Sequence, residues 1–266
     1  MHEQVSGVIE LISEAPWIGT HLATTDILGV NVACIDTLTL MDTVQMWIDH
    51  SQKSTILYVN AHCLNVAGGD PEHLRILNQA DLVYPDGISV VWSSRLLSGC
   101  RMSKITGASW IDVFCRIGQE QKYRVYILAG RPGVAEKAVQ SLSMKWPDLD
   151  IVGAVDGYFS KMSEADVLQD IRRTKPDVLF VGIGTPRQEK WIFNHRSAID
   201  APICWAVGAL FDYVAGYEPR VPGWMNSLAL EWLWRLALDP AGKWKRYLLG
   251  NPIYIARILR QKLSMI

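Results

Sequence analysis

Six short, β-rich apolar runs, alternating with stretches of helical periodicity, set the strongest limit on how this chain folds. The runs are Thr55–Asn60 (TILYVN), Leu82–Tyr84, Arg124–Ala129 (RVYILA), Ile151–Val155, Asp177–Gly182 (DVLFVG) and Pro202–Val207. Helical patterns lie near 40–52, 71–79, 88–98, 108–120, 132–146, 163–174 and 187–198. Strands separated by helices of this length pair in parallel, because the helix supplies the crossover. The expected architecture is therefore α/β, a Rossmann-like, mainly parallel sheet with helices on both faces. Sheets of this kind bind ligands beyond the carboxyl ends of their strands, where the winding reverses.

Every run ends in a polar or glycine-bearing turn, so six turns outline one edge. They are Asn60-Ala-His62, Pro85-Asp86-Gly87, Gly130 to Gly133, Asp156-Gly-Tyr158, Gly182 to Gln188 and Gly208 to Asp212. By itself Asp86 reads equally as a cap for the next helix or as a carboxylate of a site. The string GIGTPRQ starts like a dinucleotide fingerprint, yet Arg187 stands where the third glycine belongs. Pro186 suits the first turn of a helix whose free N–H groups would meet a phosphate or a sugar at Gly184, and a plain helix start fits as well. AGRPGVAEKA is a glycine turn entering a helix, able to receive a phosphate or ribose at Gly130. Tyr158 either stacks a base or closes its turn, and Asp212 either holds ribose hydroxyls or caps a helix. The DLD at 148–150 precedes a strand, the wrong end for a metal–diphosphate pair, and reads as a turn. The chain has no GxSxG elbow and no zinc spacing among its six histidines.

The 266 residues carry a formal charge of -1, which argues against a nucleic-acid partner. Charge is unevenly spread: from Arg220 onward eight Lys or Arg stand against two Asp or Glu. That segment is rich in Trp and sets Leu248, Ile255, Ile258, Leu259 and Leu263 against Arg257, Arg260 and Lys262 at helical spacing. It fits an amphipathic helix on an anionic bilayer, or one docked on the body with a solvated basic face. The layout expected is an N-terminal extension (1–28), an α/β core (29–219) and a basic C-terminal helical appendage (220–266). No stretch is long and apolar enough to span a bilayer, and residues 1–17 do not form a signal peptide. The five cysteines are scattered and read as reduced core thiols of a cytoplasmic protein.

Taken in order, NAH, ADLVYPDGISVVW, TG, LAGRPGVAEKA, GYF, VGIGTPRQEKW, FDYVAG, EWLWRL and KRYLLGNP resemble the WecG/TagA/CpsF glycosyltransferases, family twenty-six, from about residue 30 to 260. The resemblance implies an inverting, metal-independent enzyme without a cofactor. Its donor would be a UDP-sugar and its acceptor a polyprenyl-diphosphate-linked sugar at the inner face of the membrane. It implies Asp86 as catalytic base, with Gln188 and Arg235 in the catalytic set. It implies Tyr158 and Asp212 as uridine contacts and sets Lys245 near a basic position of the appendage; Asn60, His62, Thr106, Gly130, Gly184 and Arg246 complete the candidate substrate contacts. A hexose such as glucose is the first expectation for the donor sugar, in surface-polysaccharide assembly. Three positions depart from the family pattern: Tyr58 in place of threonine, Ala209 in place of glycine and Gly242 in place of arginine. An NAD-dependent nucleotide-sugar enzyme is the competing class, opposed by Arg187 in the fingerprint and by the absence of Tyr-x-x-x-Lys. A nucleotide-sugar-binding protein without activity is the other. A second copy of the chain is a further candidate partner, packing on the aromatic tail.

Overall fold

The computed structural model describes residues 22–159, 162–219, 221–227 and 230–265. Most of the expected N-terminal extension lies outside the described residues. A hairpin comes first, β1 (Thr24–Ile27) antiparallel to β2 (Val30–Ala33), and Leu28 and Gly29 take positive φ at its turn. The core sheet follows, with β3 (Ser54–Val59), β4 (Leu82–Pro85), β5 (Arg124–Ala129), β6 (Asp150–Val155), β7 (Val178–Gly182) and β8 (Ile203–Ala206). All six expected strands are present, in the order β4-β3-β8-β7-β5-β6 and all parallel. The chain winds outward from β3 to one edge, crosses to β5 and β6 at the other, then returns through β7 and β8 to the centre.

The helices are α1 (Thr37–Asp49), α2 (Ala61–Ala67), α3 (Pro71–Gln79), α4 (Ile88–Leu97), α5 (Gly107–Gln121), α6 (Val134–Lys145), α7 (Glu164–Thr174), α8 (Arg187–His195) and α9 (Leu210–Val214). The C-terminal segment adds α10 (Gly223–Ser227), α11 (Glu231–Leu238), α12 (Pro240–Trp244), a π-helical turn (Lys245–Leu249) and α13 (Gly250–Leu263). Strand side chains alternate, so the sheet builds two cores. Val125, Ile127, Phe180 and Trp205 face α1, α5, α6 and α9, whereas Tyr126, Leu128, Leu179 and Val181 face α2, α3, α4, α7, α8 and α13. On the first face Trp110 stacks on Trp205 at 4.1 Å and Phe114 stands edge-on to both tryptophans and to Phe180, an arrangement worth about 1 kcal/mol per pair beyond burial.

The C-terminal helix α13 is docked on the body through one of its faces. Tyr254 and Ile258 are buried, and the Tyr254 hydroxyl meets Ser93 Oγ of α4 at 2.7 Å. Arg257 does not belong to a solvated basic face: its Nη1 donates to Leu64 O (2.8 Å) and Asn65 Oδ1 (3.3 Å) at the end of α2. The expectation for the cysteines also needs correction. Cys34 and Cys100 form a disulfide, while Cys63, Cys115 and Cys204 are free and buried. The 66-residue separation hides the pairing, which arises only when the loop after α4 folds back beside the end of β2. Among the described residues no helix is long and apolar enough to cross a membrane.

Candidate active site

Asp86 sits where β4 gives way to α4. Its N–H continues the sheet by donating to Val59 O (2.8 Å), and Gly87, at φ +103, turns the chain into the helix. Gly87 takes the N-cap position and no side chain caps α4, so the cap reading of Asp86 falls away. Its carboxylate instead accepts from Asn60 Nδ2 at 3.1 Å. Asn60 is held by its own helix: Oδ1 accepts from the N–H groups of His62 (3.0 Å) and Cys63 (3.1 Å), which turns the amide nitrogen toward Asp86. Burial lifts the Asp86 carboxyl above its ordinary range and the charge of Glu231 adds to the effect, opposed by the Asn60 bond and by Arg235 and Arg246.

A cavity of about 720 Å³ opens from Asp86 between the sheet edge, α4 and the C-terminal segment. Its polar end holds Asn60, Asp86, Lys104, Glu231, Arg235 and Arg246. Glu231 organises the cations: Arg235 Nη2 lies 2.6 Å and Nε 3.1 Å from its Oε1, and Lys104 Nζ lies 3.5 Å from Oε2. Arg235 also lies over the Tyr213 ring at 5.2 Å. Arg246 is placed differently, because its buried Nε has no hydrogen-bond partner among the described residues. His62 stands nearby but off the cavity wall, and burial followed by the Arg246 charge pushes its pKa down to about 4. Lys245 points away, over its neighbour Trp244.

Beneath this end lies a buried polar network. Gln188 is fully buried; its Oε1 accepts the Gly208 N–H (3.0 Å) and its Nε2 donates to Glu189 Oε1 (2.9 Å). Thr185 Oγ1 donates to that same oxygen at 2.7 Å, leaving Glu189 Oε2 buried without a partner among the described residues. Burial raises the Glu189 carboxyl, as expected for an acid in such a place. Gly208 has φ +57, and a Cβ there would fall 2.4 Å from the Tyr58 hydroxyl, so only glycine fits the turn. Gln188 thus holds a strand-end turn rather than facing the cavity.

The remaining turns gather on the β5–β6 side. Gly130, at φ +71, donates to Gly182 O (3.0 Å) and accepts from Gly157 N (2.9 Å), joining three strand ends. The Tyr158 N–H donates to Asp156 Oδ1 at 3.0 Å, while its half-exposed ring lies under the Arg187 guanidinium at 5.3 Å. Asp212 lies inside α9, behind the N-cap residue Ala209, so it is no cap; burial and Glu218 raise its carboxyl, against Arg131 and Lys243. Gly184 has φ +83 with open space where a Cβ would point, and the Thr185–Pro186 peptide is cis. Pro186 occupies the N-cap of α8 rather than its first turn. Thr106 serves the capping box of α5 with Ser109.

Asn60, Asp86, Arg235 and Arg246 therefore converge on one cavity. Gly130, Tyr158, Gly184 and Asp212 form a second stretch of the same sheet edge, and Thr106, Gln188, His62 and Lys245 stand behind or beside them. Sequence reasoning missed Lys104, Glu189 and Glu231. The spacing Glu231 to Arg235 carried a signal, since residues four apart on a helix pair. Glu189, inside an expected helix beside Gln188, carried none. Among the described residues no three His, Cys, Asp or Glu side chains gather as a metal ion would need.

The comparison with known proteins supplies the class. The chain matches the model described as the glycosyl transferase WecG/TagA/CpsF family over residues 25–265. With this fold and this strand-end site, the protein is a glycosyltransferase. It belongs to the WecG/TagA/CpsF family. A relative from Bacillus subtilis (strain 168), an N-acetylglucosaminyldiphosphoundecaprenol N-acetyl-beta-D-mannosaminyltransferase, is 32% identical over 81% of this chain and 83% of its own. A Staphylococcus aureus (strain NCTC 8325 / PS 47) protein of the same name is 28% identical over 91% and 95%.

Proposed function

We propose that this enzyme transfers a hexose or N-acetylhexosamine from a UDP-sugar to a sugar linked through diphosphate to a polyprenol, with inversion and without a metal ion. The observation that carries the reading is the Asp86 carboxylate, turned by Asn60 into a cavity whose far wall bears Arg235 and Arg246. Asp86 takes the proton of the acceptor hydroxyl as that oxygen bonds to the anomeric carbon of the donor. The bond from that carbon to the diphosphate breaks on the opposite face, and UDP leaves with the electron pair. Its growing negative charge meets Arg235, and Arg246 stands beside it on the same wall. The turns at Gly130, Tyr158 and Asp212 receive the uridine portion, and Gln188 keeps Gly208 in place beneath the sugar. The reaction serves surface-polysaccharide assembly, with the enzyme held peripherally at the cytoplasmic face of the membrane by residues 220–266.

A panel of UDP-sugars tests this, offered with a lipid-diphosphate-linked N-acetylglucosamine, with and without a chelator. Both UDP-N-acetylmannosamine, the sugar in the relatives' names, and UDP-glucose belong in it. Transfer from at least one donor, unchanged by the chelator and giving an inverted product, is the expected result. Retention of configuration, or dependence on a divalent ion, would sink the mechanism.

A further inference from the structure

Away from Asp86 the cavity changes character. Helix α4 presents Trp92 and Leu96, and α13 presents Ile255 and Leu259, the two sets facing each other along the cavity. The two residues of each set stand four apart, so each set lies on one stripe of its helix. Ser93 and Tyr254, joined at 2.7 Å, close the floor together with Ile258. The walls stay open: Trp92 is 57% exposed, Ile255 57%, Leu259 50% and Leu96 44%. Apolar side chains this large, half-exposed along both sides of one trough, are the surface that a protein covers with a ligand or a partner.

The trough is continuous with the polar end, and this decides the occupant. One end carries the Asp86 carboxylate with the Arg246 and Arg235 guanidinium groups, and the other is mostly apolar and carries no charged side chain. A ligand matching both ends has an anionic head and an apolar chain on the same molecule. A diphosphate offers the two guanidinium groups a doubly charged acceptor next to an apolar chain, which a peptide segment does not carry on one group.

We propose that the trough between α4 and α13 binds the first isoprene units of the acceptor's polyprenyl chain, with the diphosphate at Arg246 and the sugar hydroxyl at Asp86. This rests on the acceptor class given above and adds that the core of the enzyme itself reads the chain. The lipid is then bound by the protein and not only delivered by the membrane. The α4 wall belongs to the α/β core, so part of the lipid site lies outside the C-terminal segment.

The test uses the full chain in detergent-free buffer, with calorimetric binding of farnesyl diphosphate, inorganic diphosphate and farnesol. Farnesyl diphosphate is expected to bind at least about tenfold more tightly than inorganic diphosphate, since burying its chain adds apolar contact to the same head. Trp92→Ser and Leu259→Ser should each remove about threefold to tenfold of that advantage and leave UDP binding unchanged. Both side chains are half-exposed, and thermal unfolding confirms that the variants fold. Equal affinity for the two diphosphates overturns the proposal. So does a pair of variants that lose anionic vesicle binding yet keep the preference for the prenyl chain, because the stripes would then serve the membrane surface. The donor panel described above reads separately: transfer with no prenyl preference defeats the trough alone, while prenyl preference with no transfer from any UDP-sugar defeats the proposed reaction alone.

Discussion

At the scale of single residues, the proposed base Asp86 links activity to stability. Burial and Glu231 raise its carboxyl, which makes it a stronger base while it is ionised. Asp86→Asn keeps an acceptor for Asn60 and removes the base, so kcat should fall by about 10²–10⁴-fold while UDP binding persists. Wild-type kcat/KM should fall as pH drops through the raised pKa. A raised carboxyl stabilises the fold only in its neutral form. That contribution is full below the unfolded value, about 3.9, and is lost as pH rises through the folded one. Asp86→Asn should therefore raise Tm by about 2 °C or more near neutral pH and by nothing at about pH 3. Scanning calorimetry at both pH values checks the sign, and a lower Tm at neutral pH would contradict the assignment. The residue itself was legible as a strand-end carboxylate. Its release from helix capping was not, since that depends on Gly87 holding φ +103 and on Asn60 arriving from another strand.

At the scale of elements, α13 decides how the C-terminal segment meets the core. Arg257 reaches across to Leu64 O, and it comes so close that a Cβ on Gly68 would fall 2.2 Å from its guanidinium. Arg257→Ala should cost about 1–3 kcal/mol, the range for a charged hydrogen bond lost to a partly buried carbonyl. Gly68→Ala should destabilise in the same direction by displacing Arg257, and the double variant should cost less than the sum. Denaturant unfolding of the four proteins measures this coupling, and strict additivity would show that the two positions act independently. Helical periodicity marked α13 as amphipathic. It could not say which charges point inward, because Arg257 faces α2 only through the packing of elements nearly two hundred residues apart.

At the scale of the molecule, the parallel sheet brings six turns to one edge and the C-terminal helices roof part of it. The outward face of that roof carries Leu249, Ile253 and Leu263 exposed, with Arg260 exposed beside them. Such a face should bind vesicles containing anionic lipid at least about tenfold more tightly than zwitterionic ones, with the difference lost at high salt. Sedimentation with vesicles of each composition measures it. Equal binding to both would remove electrostatics from the membrane contact. Arg257→Ala should leave the lipid preference unchanged, since that charge already points into the core.

The sequence by itself determined the layers and the edge. Strand-length apolar runs alternating with helical periods admit few packings other than a parallel sheet covered on both faces, and the turns at the candidate edge follow from where those runs stop. It also carried Asp86, Asn60, Arg235 and Arg246 as candidates. The tertiary structure alone decided which of the candidates meet. It placed Gln188 in the buried support rather than the cavity, set Glu231 between Lys104 and Arg235, and joined Cys34 to Cys100. Local spacing fixes which face of an element a side chain takes. The partner that it finds depends on strand order and helix docking, which are settled by burial summed over the whole chain.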